Sequence, residues 1–130
     1  MFLVYNSDVL HDDAFRLSVQ DRAFQYGDGL FETVRYEAGN LWFWPDHVDR
    51  LRAGMAALHL HTAATADAQT LYNLVYQLLQ QNKLLNRSAR IKIQVWRQPG
   101  GLYTPASNEA NLLITAQPTA DFLITEKAKI

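Results

Sequence analysis

The chain has 130 residues, a length that suits one domain with its own hydrophobic core. Apolar residues make up 48% of it and charged residues 19%, and the net charge of -1 provides no basic field for nucleic acid or an anionic membrane. The absence of cysteine excludes a disulfide scaffold and a cysteine-ligated zinc site, and it fits a reducing compartment. No apolar run approaches the ~20 residues that a membrane-spanning helix needs. We therefore expect a cytoplasmic protein that binds neither nucleic acid nor membranes.

The first half of the chain predicts strands, a hairpin and one helix. Leu30 to Tyr36 is rich in β-forming residues, and Ala38-Gly39-Asn40 suits a hairpin turn because glycine and asparagine accept positive φ. The unbroken apolar segment Leu41 to Trp44 predicts the returning strand, with both of its faces covered. Pro45 favours the first turn of a helix, and an apolar stripe continues this helix until His59 to His61. Shorter extended segments are predicted at Phe2 to Tyr5, Val9 to His11 and Phe15 to Leu17.

The second half predicts one helix followed by strands. Between about Asp67 and Asn82, leucines and a valine recur at helical spacing on one face. Ala89 to Trp96 alternates between apolar and polar residues, which is typical of a strand, and further strands are predicted at Asn111 to Ala116 and Phe122 to Thr125. Strands and helices are segregated along the chain. This order predicts the α+β class, with a mainly antiparallel sheet and two helices on one face.

Arg50 is the sharpest candidate for binding a ligand. It lies in the first turns of the predicted helix, three residues after His47. A helix start favours anions, and a guanidinium can hold two phosphate oxygens at once. The alternative is an exposed arginine that pairs with Asp46 or Asp49 in the same helix, and periodicity alone favours this ion pair.

A second group of residues is predicted on one side of the sheet or at its rim. They either line a cavity or form the solvent face, and they are Phe31, Arg35, Lys92, Trp96 and Arg97. The segment from Arg97 to Tyr103 is an arginine at a strand end followed by a glycine-containing loop, a common position for substrate contacts.

Other kinds of site find no support in the sequence. The turn Gly27-Asp28-Gly29 permits a close backbone approach to a ligand or an ordinary tight turn, and it precedes a strand, so it is not a dinucleotide-binding motif. The histidines lack zinc-binding spacing, and the serines lack the setting of a hydrolytic nucleophile. Lys83 lies at a helix end, Lys127 and Lys129 are terminal, and only Lys92 lies within a strand. We predict no metal site and no catalytic residue in this chain.

The combined motifs resemble a known family. DRAFQYGDGLFETVR, a hairpin and DHVDRL follow one another, with MFLVYN before them and an R-x-x-G-G-x-Y loop after them. In this order they are similar to the N-terminal domain of the class IV (fold-type IV) pyridoxal-phosphate enzymes. This family includes the branched-chain and D-amino-acid aminotransferases and aminodeoxychorismate lyase, and the resemblance covers nearly the whole chain.

The resemblance implies roles for individual residues. The arginine of the H-x-x-R-L motif contacts the cofactor phosphate in the family, which implies this role for Arg50. The aromatic residue after the glycine turn lines the substrate pocket in the family, which implies this role for Phe31. Lys92, Arg97 and Tyr103 are predicted as further pocket residues from their positions on the strand and in the loop that follows it. Phenylalanine lacks the hydroxyl that D-amino-acid transaminases use at this position, so a branched-chain substrate is favoured over a D-amino acid.

One departure from the family concerns catalysis. The family's catalytic lysine lies in a C-terminal domain, and no lysine of this chain occupies the matching position. The expectation is therefore an N-terminal domain, residues 1–130, of a homodimeric enzyme that uses pyridoxal phosphate to move an amino group between an amino acid and a 2-oxo acid, with the lysine domain absent. Elimination of pyruvate from aminodeoxychorismate is the alternative activity. A non-catalytic domain that only binds or dimerises is the alternative of another class.

Overall fold

A computed structural model describes residues 1–22, 29–62, 67–98 and 108–121. The helices are α1 (Trp44–Ala57) and α2 (Ala68–Gln81), and Asp12–Ala14 forms one turn of 3-10 helix. The strands of these residues are β1 (Phe2–Tyr5), β2 (Asp8–His11), β3 (Gly29–Glu37), β4 (Asn40–Leu41), β5 (Ala89–Arg97) and β6 (Ala110–Pro118). Neither helix is long and apolar enough to span a membrane.

The six strands form one sheet in the order β2-β1-β6-β5-β3-β4, and all neighbours are antiparallel. Strand pairing fixes which residues share a face: Phe31 lies opposite Gln94, and Thr33 lies opposite Lys92. The other face carries Val34 and Ile93, which belong to the single buried core with the apolar stripes of both helices. The predicted α+β fold, with an antiparallel sheet and two helices on one face, is confirmed.

Both helices form where the sequence provides a start signal and an apolar stripe. In α1, Pro45 occupies the first turn, and Val48, Leu51 and Met55 are buried. In α2, the Asp67 side chain accepts a hydrogen bond from the Gln69 amide at 3.0 Å and caps the helix. All residues of the α2 stripe are buried, and they are Leu71, Leu74, Val75, Leu78 and Leu79.

The predicted strand Leu41 to Trp44 is wrong beyond its first residue. The ladder ends at Leu41, and Trp44 begins α1 with its ring packed edge-on against Tyr72 of α2, 5.8 Å between centroids. Between them the chain reverses through Phe43, which has a left-handed φ of 57° and remains 70% exposed. The apolar run is therefore not covered on both faces, because it makes the turn from the hairpin into the helix. The predicted strand Phe122 to Thr125 lies outside the described residues.

Candidate functional site

A charged cluster joins β3 to the first turns of α1. Glu32 points from the helix-facing side of β3, and its side chain is only 9% exposed. Arg50 donates from Nε to both carboxylate oxygens at 3.0 Å and from Nη2 to Oε1 at 2.7 Å. His47, one helical turn before Arg50, places Nδ1 2.7 Å from the same Oε1. Residues three apart share a helix face, so both side chains reach one carboxylate.

The electrostatics of the cluster keep its ion pair charged. Hydrogen bonding from Arg50 lowers the pKa of the Glu32 carboxyl below its ordinary value of 4.5; His47 adds to this effect, and burial opposes it. The same carboxylate raises the pKa of the Arg50 guanidinium. His47 must carry its proton on Nδ1, because two acceptor atoms at 2.7 Å would repel each other.

One edge of the Arg50 guanidinium is not occupied by any of the described residues. Its side chain is 66% exposed although Nε and Nη2 are bound to Glu32. Within the described residues Nη1 makes no hydrogen bond, and neither Asp46 nor Asp49 forms an ion pair with Arg50. The partner of this arginine is thus a buried carboxylate from the sheet. Its Nη1 donor is not used by the described part of the chain, and a guanidinium edge is chemically suited to an anion.

The opposite face of the sheet carries a shallow depression of about 350 Å³. Its lining consists of Phe31, Thr33, Arg90, Lys92, Thr115 and Gln117. The Lys92 ammonium lies 4.8 Å from the centroid of the Phe31 ring, and this ring is 58% exposed. These lining residues are neutral or cationic, so the depression suits a ligand with an anionic group.

Arg97 does not share this surface with Phe31 and Lys92. Its side chain is buried and donates to the Leu58 carbonyl at the end of α1, 2.6 Å, and to Asn108 Oδ1, 2.7 Å. The guanidinium therefore fastens the end of β5 to α1 and to the residues before β6. Tyr103 lies outside the described residues, and the substrate role of both residues stays a prediction.

Glu32 is the site residue that the sequence reasoning missed. Alternation along β3 places it on the same face as Leu30 and Val34, which face the core. A carboxylate among core-facing positions needs a charged partner, since burial of an unpaired charge is costly. That mismatch between charge and position was the available signal.

The structure shows why a glycine is needed at position 29, the last residue of the Gly27-Asp28-Gly29 motif. It is the first residue of β3, opposite Trp96 of β5. A Cβ at this position would lie 2.7 Å from the Trp96 Cβ and would also collide with the Val95 carbonyl oxygen. This glycine permits close packing of two strands, whereas Gly27 and Asp28 lie outside the described residues.

Comparisons with known proteins identify the relatives of the chain. The family model of amino-transferase class IV matches residues 29–128. An aminodeoxychorismate lyase from Vibrio harveyi is 37% identical over 90 residues, which are 68% of this chain and 31% of that protein. A D-alanine aminotransferase from Listeria monocytogenes is 32% identical over 95 residues, 73% of this chain and 31% of that protein.

Solved structures of low sequence identity share the fold. A branched-chain aminotransferase from Thermoproteus uzoniensis, solved with norvaline, has a TM-score of 0.80 at 20% identity, covering 92% of this chain and 41% of that one. A branched-chain amino acid aminotransferase from Escherichia coli has a TM-score of 0.78 at 20% identity, covering 91% of this chain and 41% of that one.

The chain spans about a third of the length of the curated relatives that it matches. The family model nevertheless covers most of the chain, and the sheet with its two helices matches the fold of solved aminotransferases. The sequence motifs, the fold and the family match agree. The chain belongs to the class IV aminotransferase family.

Proposed function

We propose that this chain forms the phosphate-binding side and part of the substrate-binding side of a pyridoxal-phosphate enzyme. The family is pyridoxal-phosphate-dependent. The observation that carries the proposal is Arg50, whose guanidinium is fixed by Glu32 at the start of α1 and keeps Nη1 free of the described residues. When bound, the cofactor supplies the electron sink that amino-group chemistry needs.

The residues fit the cofactor's phosphate in part. A fixed guanidinium near a helix start suits a phosphate oxygen, because a charge-assisted hydrogen bond is short and directional. A phosphate has three terminal oxygens, and the free edge of one arginine does not satisfy them all. Arg50 is therefore proposed as one of several phosphate ligands.

The catalytic lysine is proposed to lie outside these 130 residues. Lys83 and Lys92 are the lysines that the structure describes, and both are exposed. A lysine that binds a carbonyl cofactor needs a desolvated setting, which lowers its pKa and frees its amine. Lys92 has no such setting, since its ammonium lies over the exposed Phe31 ring. This chain is thus proposed as the N-terminal domain of a larger enzyme, inactive without the domain that carries the lysine.

The favoured reaction transfers an amino group between an amino acid and a 2-oxo acid, with a branched-chain amino acid as substrate. Phe31 provides an apolar ring without a hydroxyl at the edge of the proposed pocket. Arg90 and Lys92 provide positive charge for a substrate carboxylate. Family members act on amino acids and are typically oligomeric, so we propose a homodimer. We also propose a cytoplasmic location, with which the absence of cysteine agrees.

Aminodeoxychorismate lyase activity is the second candidate. The Vibrio harveyi relative carries that name at 37% identity, and the substrate has two carboxylates, which suit the two cations Arg90 and Lys92. Assays of the full-length protein with L-leucine, with D-alanine and with aminodeoxychorismate separate the candidates. Pyruvate release from aminodeoxychorismate without transamination of leucine would assign the lyase.

Arg50→Ala tests the phosphate assignment in the full-length protein. Pyridoxamine 5'-phosphate and pyridoxamine differ only in the phosphate, and neither carries an aldehyde that reacts with lysine. We expect the variant to reduce the affinity ratio of these two compounds by about 10- to 100-fold, because a charge-assisted hydrogen bond is lost. Isothermal titration calorimetry measures both affinities.

Arg52→Ala is the matched control for this experiment. Arg52 lies in the same helix and is exposed, and no ion pair of the described residues involves it. Its removal should leave the affinity ratio unchanged. An unchanged ratio in Arg50→Ala would refute the phosphate assignment.

A further inference from the structure

We propose that Glu32 is a positioning residue, whose buried carboxylate orients the Arg50 guanidinium toward the cofactor phosphate. This inference rests on the proposed function, because it requires Arg50 to be a phosphate ligand.

The geometry fixes the guanidinium through two of its nitrogens. Nε contacts both oxygens of Glu32 at 3.0 Å, and Nη2 contacts Oε1 at 2.7 Å, so the plane of the guanidinium is set by the carboxylate. An arginine whose side chain is 66% exposed otherwise samples many rotamers. With Glu32 in place, Nη1 keeps one direction, and a phosphate meets an arginine that is already ordered.

His47 secures the carboxylate itself. Its Nδ1–H donates to Oε1 of Glu32, the same oxygen that receives Nη2 of Arg50. The carboxylate is thereby held between two side chains one helical turn apart. This contact keeps Glu32 from rotating away from Arg50 when Arg50 engages a second anion.

Removing the charge of Glu32 distinguishes two roles of this residue: positioning Arg50 for phosphate binding, or forming an ion pair that only stabilises the fold. A carboxylate beside an anion site repels the anion and neutralises the arginine, so an ion pair that serves stability alone would weaken phosphate binding. A positioning carboxylate has the opposite net effect, because the ordered guanidinium outweighs the repulsion. The two roles therefore predict opposite signs when the charge of Glu32 is removed.

Glu32→Gln in the full-length protein provides the test, since it keeps the shape and removes the charge. The measured quantity is the affinity ratio of pyridoxamine 5'-phosphate to pyridoxamine. We expect the ratio to fall by about 2- to 10-fold, the range for losing the order of one long side chain. In the double variant Glu32→Gln with Arg50→Ala, the ratio should equal that of Arg50→Ala alone, because Glu32 acts only through Arg50.

Glu37→Gln is the matched control. Glu37 lies on the same strand, is similarly buried and pairs with an arginine, Arg35, at 3.0 Å. It lies at the far end of β3 from the cluster, so its neutralisation should leave the ratio unchanged. Glu32→Asp is a second variant that keeps the charge but shortens the side chain, and it should lower the ratio in the same direction by less.

A ratio that is unchanged or higher in Glu32→Gln would overturn the positioning role and would show that Glu32 competes with the phosphate. An additive effect in the double variant would also overturn it. If Glu32→Gln fails to fold, Glu32→Asp decides, and an unchanged ratio there is equally negative. If Arg50→Ala itself leaves the ratio unchanged, the phosphate assignment fails instead, so the two failures are distinguishable.

Discussion

Gly29 and Gly54 provide a paired prediction about stability. Both glycines leave no room for a Cβ: at Gly29 it would lie 2.7 Å from the Trp96 Cβ, and at Gly54 it would lie 2.6 Å from Leu30 Cδ1. The obstacles differ in what can move. At Gly29 the obstacles include the backbone carbonyl of Val95 in the centre of the sheet, whereas at Gly54 the obstacle is the end of one flexible side chain.

The magnitudes follow from this difference. Gly29→Ala requires two paired strands to separate, and we expect a loss of about 3 kcal/mol of unfolding free energy, the upper end for overpacking. Gly54→Ala gains about 1 kcal/mol of helix propensity. Moving Leu30 off its rotamer costs about 0.5–1.5 kcal/mol, and its other atoms stand 3.8 Å or more away, so the net change should be within about 0.5 kcal/mol of zero.

Urea unfolding of the 130-residue chain, followed by tryptophan fluorescence, measures both changes. The midpoint and slope together give the free energy of unfolding. The reasoning would be refuted if Gly29→Ala were as stable as the unchanged chain, or if Gly54→Ala were the more destabilised variant. Either result would mean that separating β3 from β5 to make room for a Cβ costs no more free energy than moving the Leu30 side chain.

Two further predictions concern acid stability and a strained turn. Because the pKa of Glu32 is lowered in the folded state, its stabilisation is complete above the ordinary value of 4.5 and is lost as pH falls through the lowered pKa. The stability advantage over Glu32→Gln should accordingly shrink on acidification, and an advantage that is constant from about pH 7 to about pH 2 would contradict this. Phe43→Gly should raise the unfolding free energy by about 0.5–1 kcal/mol. Glycine removes the strain of a left-handed residue that carries a Cβ, and its greater conformational freedom in the unfolded state offsets part of this stabilisation. Phe43→Ala keeps the Cβ and should show no gain; equal stabilisation by alanine and glycine would contradict the assignment of strain.

The elements of the fold were predictable where one periodicity was sustained. The α2 stripe from Leu71 to Leu79 and the alternation of β5 each have one interpretation, and the structure confirms both. The segment Leu41 to Trp44 was not predictable in this way, because an uninterrupted apolar run suits a strand, a turn or a helix start equally. In the structure the segment leaves the sheet after Leu41, and Trp44 begins α1 one residue before Pro45, with its ring against Tyr72.

For the candidate site, the sequence indicated which residues to consider but not which of them contact one another. Arg50 was predicted as a phosphate ligand and Lys92 as a pocket residue, and both roles stay predictions. The partner of Arg50 was not predicted, since Glu32 lies on another element and the sequence offered Asp46 and Asp49 nearby. Arg97 was predicted at the end of the strand that holds Lys92, on the same side of the sheet as Lys92 or at its rim. They are five positions apart, however, and an odd separation along a strand puts them on opposite faces of the sheet. The order of strands and helices predicted the fold and the family resemblance predicted the chemistry, whereas these contacts follow only from the three-dimensional structure.

The two sides of the proposed site differ in when they can form as the chain folds. Glu32 and Arg50 are 18 residues apart and are joined by the tight β3–β4 hairpin, so their meeting closes a short loop. Phe31 and Lys92 meet only when β3 pairs with β5, and both helices lie between these strands in the chain. Long-range pairing of this kind is slow because the entropy of closure is lost before the contacts form. The proposed phosphate-binding cluster of Glu32, His47 and Arg50 is thus a local structure of β3, β4 and α1. The proposed substrate-binding depression, in contrast, exists only in the completed sheet.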